Sequence, residues 1–230
     1  QSPSSAASDV YKRQEQYEMI NKKIENQSND SLFFTRSNLD NSKVDKIVSD
    51  ALHKADDGEL FMEFCESESF VYDDQRLKSA SFDTSKGFGL RAIAGESSGY
   101  AHSSDIDENA LKKASETVNF ITKDHNANFN ANFSKTNRKL YNEINPINET
   151  EFSEKVETLK KIDEYARSKN PNVKQVSASL NGEWQAVRIY RPGGIMIEDL
   201  RPLVRLYVSI VLEKDGRQEN GSRGSGGRVD

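Results

Sequence analysis

The spacing of apolar residues changes near residue 59, and this change constrains the fold of the 230-residue chain more than any other feature. Before it, residues 39–55 repeat apolar side chains at steps of three and four, the period of an amphipathic helix. After it, Leu60, Met62 and Phe64 alternate with their neighbours, the period of a strand. Because a helix stripe and a sheet face must both be buried, the pattern predicts an α+β fold with helices packed on an antiparallel sheet.

Three helices are predicted from the helical period, over residues 39–55, 107–123 and 150–169. Their predicted N-caps are short polar residues or a capping box, in chain order Asn41 or Ser42, Asp105 or Asp107, and Asn148 with Glu151. These residues satisfy backbone N–H groups that the first helical turn leaves without a partner.

Short strands are predicted wherever the two-residue period runs between turn residues. After residue 65, the first half has strands at 70–72, 76–82, 87–93 and 99–101, with turns at 73–74, 83–85 and 95–98. The second half has strands at 173–180, 184–190, 195–199 and 202–212, with Asn181-Gly182 as the strongest hairpin dipeptide. In the last strand Arg205, Tyr207 and Ser209 share one face, which predicts a polar surface available for contact.

Four segments are predicted along the chain. Residues 1–14 resemble a translated cloning adapter and are treated as a non-native leader, and residues 15–123 form an N-terminal α+β domain. Residues 124–148 are rich in Asn and read as a linker. Residues 149–230 form a second, incomplete α+β domain, whose glycine-rich end predicts a loop leading onward from a truncated reading frame.

Composition excludes several classes of protein. The 32 Lys and Arg against 37 Asp and Glu give a net charge of -5, which argues against direct nucleic-acid binding. No stretch approaches the roughly 20 apolar residues of a membrane-spanning helix, so no membrane association is expected. Cys65 is the single cysteine, which excludes an intrachain disulfide and favours a reducing compartment.

Residue patterns that carry chemistry are scarce. His53, His102 and His125 are far apart and lack the spacing of zinc ligands, and the H-E-x-x-H motif is absent. Cys65 has no histidine nearby in sequence, so a small structural thiol is the better interpretation. The glycine-rich end lacks the dinucleotide-binding spacing. The residues alone therefore assign no catalytic or metal-binding group.

Several blocks, taken together and in order, resemble the TldD branch of the TldD/PmbA metallopeptidase family, once called modulators of DNA gyrase. They are DGELF at 57–61, RLKSASF at 76–82, GFGLRAIAGE at 87–96, GYA at 99–101, VSASL at 176–180, RPLVRL at 201–206, and RQENGS at 217–222 with GSGGR at 224–228. The arginine-proline block and the glycine-rich end are more similar to TldD than to its paralogue PmbA.

This resemblance implies a cytoplasmic, zinc-dependent peptidase subunit that acts on unfolded peptides and pairs with a PmbA (TldE) type subunit. The family's H-E-x-x-x-H metal motif, in which the glutamate activates a zinc-bound water, lies downstream of the glycine-rich block and is missing here. No catalytic or metal residue is therefore carried over, and zinc is expected in the full-length protein but not on this fragment.

The resemblance predicts that this fragment shapes a substrate channel and a subunit interface, and that it is inactive alone. The residues predicted to border the channel are Arg205, Tyr207, Arg223, Gly224, Gly226 and Gly227. Two alternatives stay open: a non-catalytic PmbA-type partner subunit, and a stand-alone peptide-binding module.

Overall fold

The computed structural model describes residues 29–35, 37–123, 125, 140–142 and 144–228. The predicted leader at 1–14 and most of the predicted linker at 124–148 lie outside these residues. The helices are α1 (Asn29–Phe34), α2 (Asn41–Leu52), α3 (Glu108–Thr122) and α4 (Phe152–Lys169). The strands are β1 (Asp57–Asp73), β2 (Arg76–Ala94), β3 (Ser97–Ser103), β4 (Val173–Arg191), β5 (Ile195–Lys214) and β6 (Arg217–Gly227).

All six strands join one antiparallel sheet in the order β3-β2-β1-β4-β5-β6. The predicted α+β class is confirmed. The central pair consists of β1, from the first half of the chain, and β4, from the second half, for example with Leu60 opposite Tyr190. The two halves therefore share one continuous layer of backbone hydrogen bonds.

Alternation along β1 determines which face of the sheet the helices cover. Every second side chain is buried, among them Leu60, Met62 and Phe70. These residues belong to two apolar clusters, one formed with α1, α2 and α3 and the other with α4. Burying such a face stabilises the fold by about 25 cal/mol per Å² of apolar surface. Most of the stability of the helices therefore comes from packing on the sheet and less from their intrinsic helix propensity.

A polar seam separates the two clusters on this covered face. Glu68 is buried and pairs with Lys155 of α4 at 2.8 Å, and the same ammonium group donates to the carbonyl oxygen of Ile147 at 2.6 Å. Beside it, the buried Glu66 carboxylate accepts a hydrogen bond from the amide of Asn145. The seam thus attaches the segment before α4 to the central strand.

The helix predictions hold, but two of the predicted caps are wrong. Asp40 caps α2 by accepting from the Lys43 N–H at 2.8 Å. The predicted cap Asn41 instead accepts a hydrogen bond from the Tyr190 hydroxyl at 2.6 Å, which ties α2 to β4. Asp107 caps α3 as predicted. The capping box before α4 is also wrong, because the helix begins at Phe152 and Glu151 makes no side-chain cap.

Two predicted turns are wrong because the strands continue through them. Residues 83–85 pair with Ser67, Glu66 and Cys65 of β1. Asn181-Gly182 lies inside β4, where Asn181 accepts a hydrogen bond from the Ser69 hydroxyl at 2.8 Å. A side chain at Gly182 would crowd buried Glu68, with its Cβ 3.0 Å from the glutamate Cγ, so the glutamate would have to shift to accept it.

The glycine-rich end is also corrected: it is strand β6, paired along β5, rather than a loop. The hairpin between them turns at Asp215-Gly216, where φ is 53° and 75°. An Asp-Gly pair with positive φ at both positions is typical of a tight two-residue hairpin turn. The hairpin signal was therefore present in the sequence, at a different dipeptide from the one predicted.

Candidate functional site

The face of the sheet opposite the helices carries the candidate site. On β1 the side chains that alternate with the buried ones, such as Ser67 and Ser69, point to this face and are half-buried. Within the described part of the chain, no helix contributes to the surroundings of these residues. The face is therefore an open surface built from neighbouring strands.

A groove of about 480 Å³ crosses four strands on this face. The strand register places two adjacent rows of side chains along it, and residues directly opposite each other point to the same side. The rows are Asp83, Ser67, Glu183 and Leu203, and then Ser81, Ser69, Asn181 and Arg205. Short serine side chains on β1 and β2 give way to the longer Leu203 and Arg205 on β5, so the groove has a low serine floor beside one taller side.

Three charged groups line the groove. Among the described residues, no salt-bridge partner is found for Asp83, Glu183 or Arg205. Cys65 lies near the acidic side chains. Its pKa is raised to about 11, first by burial and then by Glu183, Glu63 and Asp83. The groove thus has an acidic row, with Asp83 and Glu183, and a second row that ends at the cationic Arg205, and the raised pKa favours the uncharged thiol at Cys65.

Four of the predicted channel residues lie together at the cationic end of this face. Arg205 is opposite Gly226 and Tyr207 is opposite Gly224. A Cβ atom at Gly224 would lie 3.5 Å from the Tyr207 ring and 3.8 Å from the Arg205 guanidinium. These two side chains therefore extend over the glycines of β6, and both are exposed.

The other two predicted residues do not share this surface. Arg223 is opposite Val208 and Gly227 is opposite Val204, so both belong to the face that the helices cover. The prediction treated the glycine-rich end as a loop, in which Arg223 could lie on the same surface as Arg205. Because this segment is a strand, its two-residue period places Arg223 on the opposite face of the sheet from Arg205.

Asp83, Asn181 and Glu183 line the groove but were missed from the sequence. They fall in or beside segments predicted as turns, at 83–85 and 181–182, although the two-residue alternation continues through both. If the two-residue period of the strands had been continued through these polar residues, it would have placed all three on the face that carries the groove.

The contact between His125 and Asp56 lies outside the groove. His125 Nε2 is 2.8 Å from the Asp56 carboxylate, which also accepts a hydrogen bond from the Gly95 N–H at 2.6 Å. The Gly95 bond and then the His125 bond lower the pKa of Asp56. His125 and Asp56 are 69 residues apart, so no local sequence pattern could have indicated the contact.

Two kinds of feature are not found in the part of the chain that the structure describes. No group of three or more His, Cys, Asp and Glu side chains there converges to hold a metal ion. In the same residues no helix combines the length and apolar character needed to cross a bilayer.

Comparison with known sequences identifies the family. The sequence profile of the PmbA/TldA metallopeptidase domain 1 matches residues 58–119, and that of the central domain matches residues 145–230. A metalloprotease TldD homologue of Haemophilus influenzae is 34% identical over 198 residues, which are 84% of this chain and 41% of the relative. One from Buchnera aphidicola of Schizaphis graminum is 28% identical over 85% of this chain and 41% of that relative. The chain thus spans about two-fifths of the length of these relatives.

Solved structures share the fold at low sequence identity. A candidate modulator of DNA gyrase from Bacteroides thetaiotaomicron has a TM-score of 0.60 at 15% identity, covering 80% of this chain and 44% of its own. TldE from Thermococcus kodakarensis has a TM-score of 0.54 at 17% identity, covering 82% of this chain and 43% of its own. The sequence matches and the shared fold lead to one conclusion: the chain belongs to the PmbA/TldD metallopeptidase family.

Proposed function

We propose that this chain is the N-terminal part of a TldD-like, zinc-dependent peptidase subunit of the cytoplasm that degrades or processes unfolded peptides. In this proposal the described residues shape a substrate channel and a surface for a PmbA/TldE-type subunit, and they have no activity alone. The observation that carries the proposal is the groove on the face opposite the helices, with Arg205 at its rim and no ion-pair partner for it among the described residues.

The shape of the groove suits an extended peptide. Its serine floor leaves room for a main chain, and hydroxyl and amide groups can hydrogen-bond peptide groups of any sequence. The Arg205 guanidinium presents several donors that match carbonyl or carboxylate oxygens, and Tyr207 adds an exposed aromatic ring beside it. Such contacts favour an unfolded chain, because a folded substrate cannot present its backbone.

Zinc would supply an activated water molecule and polarise the scissile carbonyl in a full-length enzyme. The side chains in the described ranges do not fit a zinc site, since no set of three potential ligands converges there. No catalytic step is therefore assigned to these residues, and their proposed role is binding and assembly.

Alanine substitution in a full-length enzyme, assembled with its partner subunit, tests the proposal. We expect Arg205→Ala to raise KM for an unfolded peptide roughly tenfold, because Arg205 contacts substrate along the groove. Zinc content and subunit assembly should stay unchanged. The matched control is Arg223→Ala, which removes the same side chain from the opposite face of the sheet.

Equal effects of Arg205→Ala and Arg223→Ala would contradict the channel role. So would a normal KM for Arg205→Ala. A full-length subunit that binds its partner but contains no zinc would instead indicate the non-catalytic type of subunit.

A further inference from the structure

The outer edge of β3 is unpaired within the described part of the chain. This strand lies at the end of the sheet, farthest from β6. Its backbone N–H and C=O groups on that side are therefore available to another strand. At seven residues β3 is longer than the average strand of about 5–6 residues.

The sequence of β3 lacks the features that usually protect an edge strand. Proteins discourage pairing at sheet edges with charged residues, proline or bulges. The strand Ser97–Ser103 contains none of these, and its register with β2 runs without a shift. In contrast, the opposite edge strand β6 carries Arg217, Glu219 and Arg223. The two edges of one sheet thus differ in how strongly they oppose pairing.

A separate cavity of about 300 Å³ runs beside this edge, between β3 and α3. Small side chains form its apolar floor, namely Ala101 from β3 with Ala110 and Ala114 from α3. The side chains of a strand added to β3 would alternate between this floor and the opposite face. The floor suits small residues, because the cavity is only about 300 Å³ and is shared with the polar side chains of its lining.

Charge in the cavity favours one kind of residue. Two carboxylates, Asp105 and Asp107, lie after the end of β3 and outnumber the one lysine of the lining, Lys113, and Asp107 is already used as the cap of α3. Among the described residues Asp105 has no ion-pair partner, and it is exposed. A cationic side chain on the added strand can reach it without displacing an existing contact.

We propose that the outer edge of β3 binds an extended peptide as an additional antiparallel strand, with small side chains on the alanine floor and a basic residue at Asp105. The antiparallel direction continues the arrangement of every described strand pair. Because this edge is at the opposite end of the sheet from Arg205 and β6, the site is independent of the groove proposed above.

Backbone methylation of the peptide provides the main test on the whole 230-residue chain. The probe is a fluorescent seven-residue peptide, matched to the length of β3, with alternating Ala and Ser and a Lys near its N-terminus. Two further versions carry N-methyl groups on alternate amides, one on each edge of the peptide. Strand addition uses one edge only, so one version should bind at least about tenfold more weakly while the other binds like the parent.

Protein variants test the charge contact by fluorescence anisotropy. Asp105→Lys should weaken binding of the lysine peptide about three- to tenfold and leave a norleucine version unchanged. Glu164→Lys, on an exposed part of α4, makes the same change of charge elsewhere and should bind like the unmodified protein. The effect of Asp105→Lys should persist in an Arg205→Ala background, which separates this site from the groove.

Three results would overturn the proposal. The first is no binding of the parent peptide, and the second is equal binding of both methylated versions. The third is a dimer in sedimentation that the peptide does not dissociate, which would assign the edge to a second copy of the chain.

Discussion

Lys155 connects three parts of the protein through one ammonium group. It is buried, pairs with Glu68 on the central strand and donates to the Ile147 carbonyl before its own helix. Each buried charge has lost its hydration, and the attraction between the two charges offsets this cost. If one partner is removed, the other stays buried with its desolvation cost uncompensated. At the scale of single residues, the seam between the two apolar clusters is therefore the most sensitive point of the fold.

We expect Lys155→Met to destabilise the protein by about 3–5 kcal/mol, because Glu68 would stay buried without a counter-charge. Urea denaturation at neutral pH measures this change. Adding Glu68→Gln to Lys155→Met should recover part of the loss. Lys160→Met, at an exposed position of α4, is the control and should change stability by less than about 1 kcal/mol. If the two lysine variants were equally stable, the seam would not support the fold.

Glu66 should make stability depend on pH in a defined direction. Burial raises the pKa of its carboxyl above the ordinary value of 4.5, while the bond from Asn145 opposes the rise. The folded state therefore keeps this proton to higher pH than the unfolded state does. The stabilisation is complete below pH 4.5 and is lost as pH rises through the raised pKa.

Denaturation at a series of pH values compares the unmodified protein with Glu66→Gln. The glutamine cannot ionise, so the variant should lose less stability as the pH rises through this window. Parallel curves for the two proteins would show that Glu66 does not titrate differently in the folded state.

At the scale of elements, the errors in predicting strands from the sequence came mainly from dipeptides that are typical of turns. Asn181-Gly182 and Asp215-Gly216 have the same local signal, yet only the second is a turn. Strands on both sides pair with residues 181 and 182, so tertiary hydrogen bonding overrides the local preference. The helices and the alternation at Val204–Leu212 were predictable because their periods span many residues. The groove was not, because it depends on the register between strands distant in sequence.

The contact between β6 and β5 can be tested at one glycine. A Cβ atom at Gly226 would overlap the Val204 carbonyl oxygen and lie 2.9 Å from the Arg205 Cα. We expect Gly226→Ala to separate the strands locally and to speed amide exchange in β6, at a cost of about 1–3 kcal/mol. Gly221→Ala is the control in the same strand, since nothing lies within 4 Å of its added Cβ. Equal exchange in the two variants would contradict the close approach.

At the scale of the whole molecule, the sheet makes the two matched segments one unit. The profile matches at 58–119 and 145–230 meet where β1 pairs with β4. The seam and the Tyr190 bond to Asn41 add side-chain contacts across the same boundary. The periods of three to four and of two residues predicted α2, α3, α4 and antiparallel strands, but not the short helix α1. The pairing of β1 with β4 has no local signal, since Leu60 and Tyr190 are 130 residues apart.

We expect amide exchange to be slowest in the centre of the sheet and to become faster towards both edges. Strands β1 and β4 are paired on both sides and buried by helices, so they should open only on global unfolding. Strands β3 and β6 should exchange faster through local opening. Hydrogen exchange with mass spectrometry measures this order. A boundary in protection between β1 and β4, in place of a gradient, would show two separately folding halves.

The central position of β1 also has a consequence for synthesis on the ribosome. About 100 residues separate the end of β1 from the start of β4. At about 5–20 residues per second, one edge of β1 waits roughly 5–20 s for its partner. During that time its alternating apolar side chains are protected by β2 and the helices of the first half only. The unpaired edge of β1 can therefore aggregate with other chains until the second half is synthesised. Factors that bind nascent strands should affect the yield of folded protein more than its final stability.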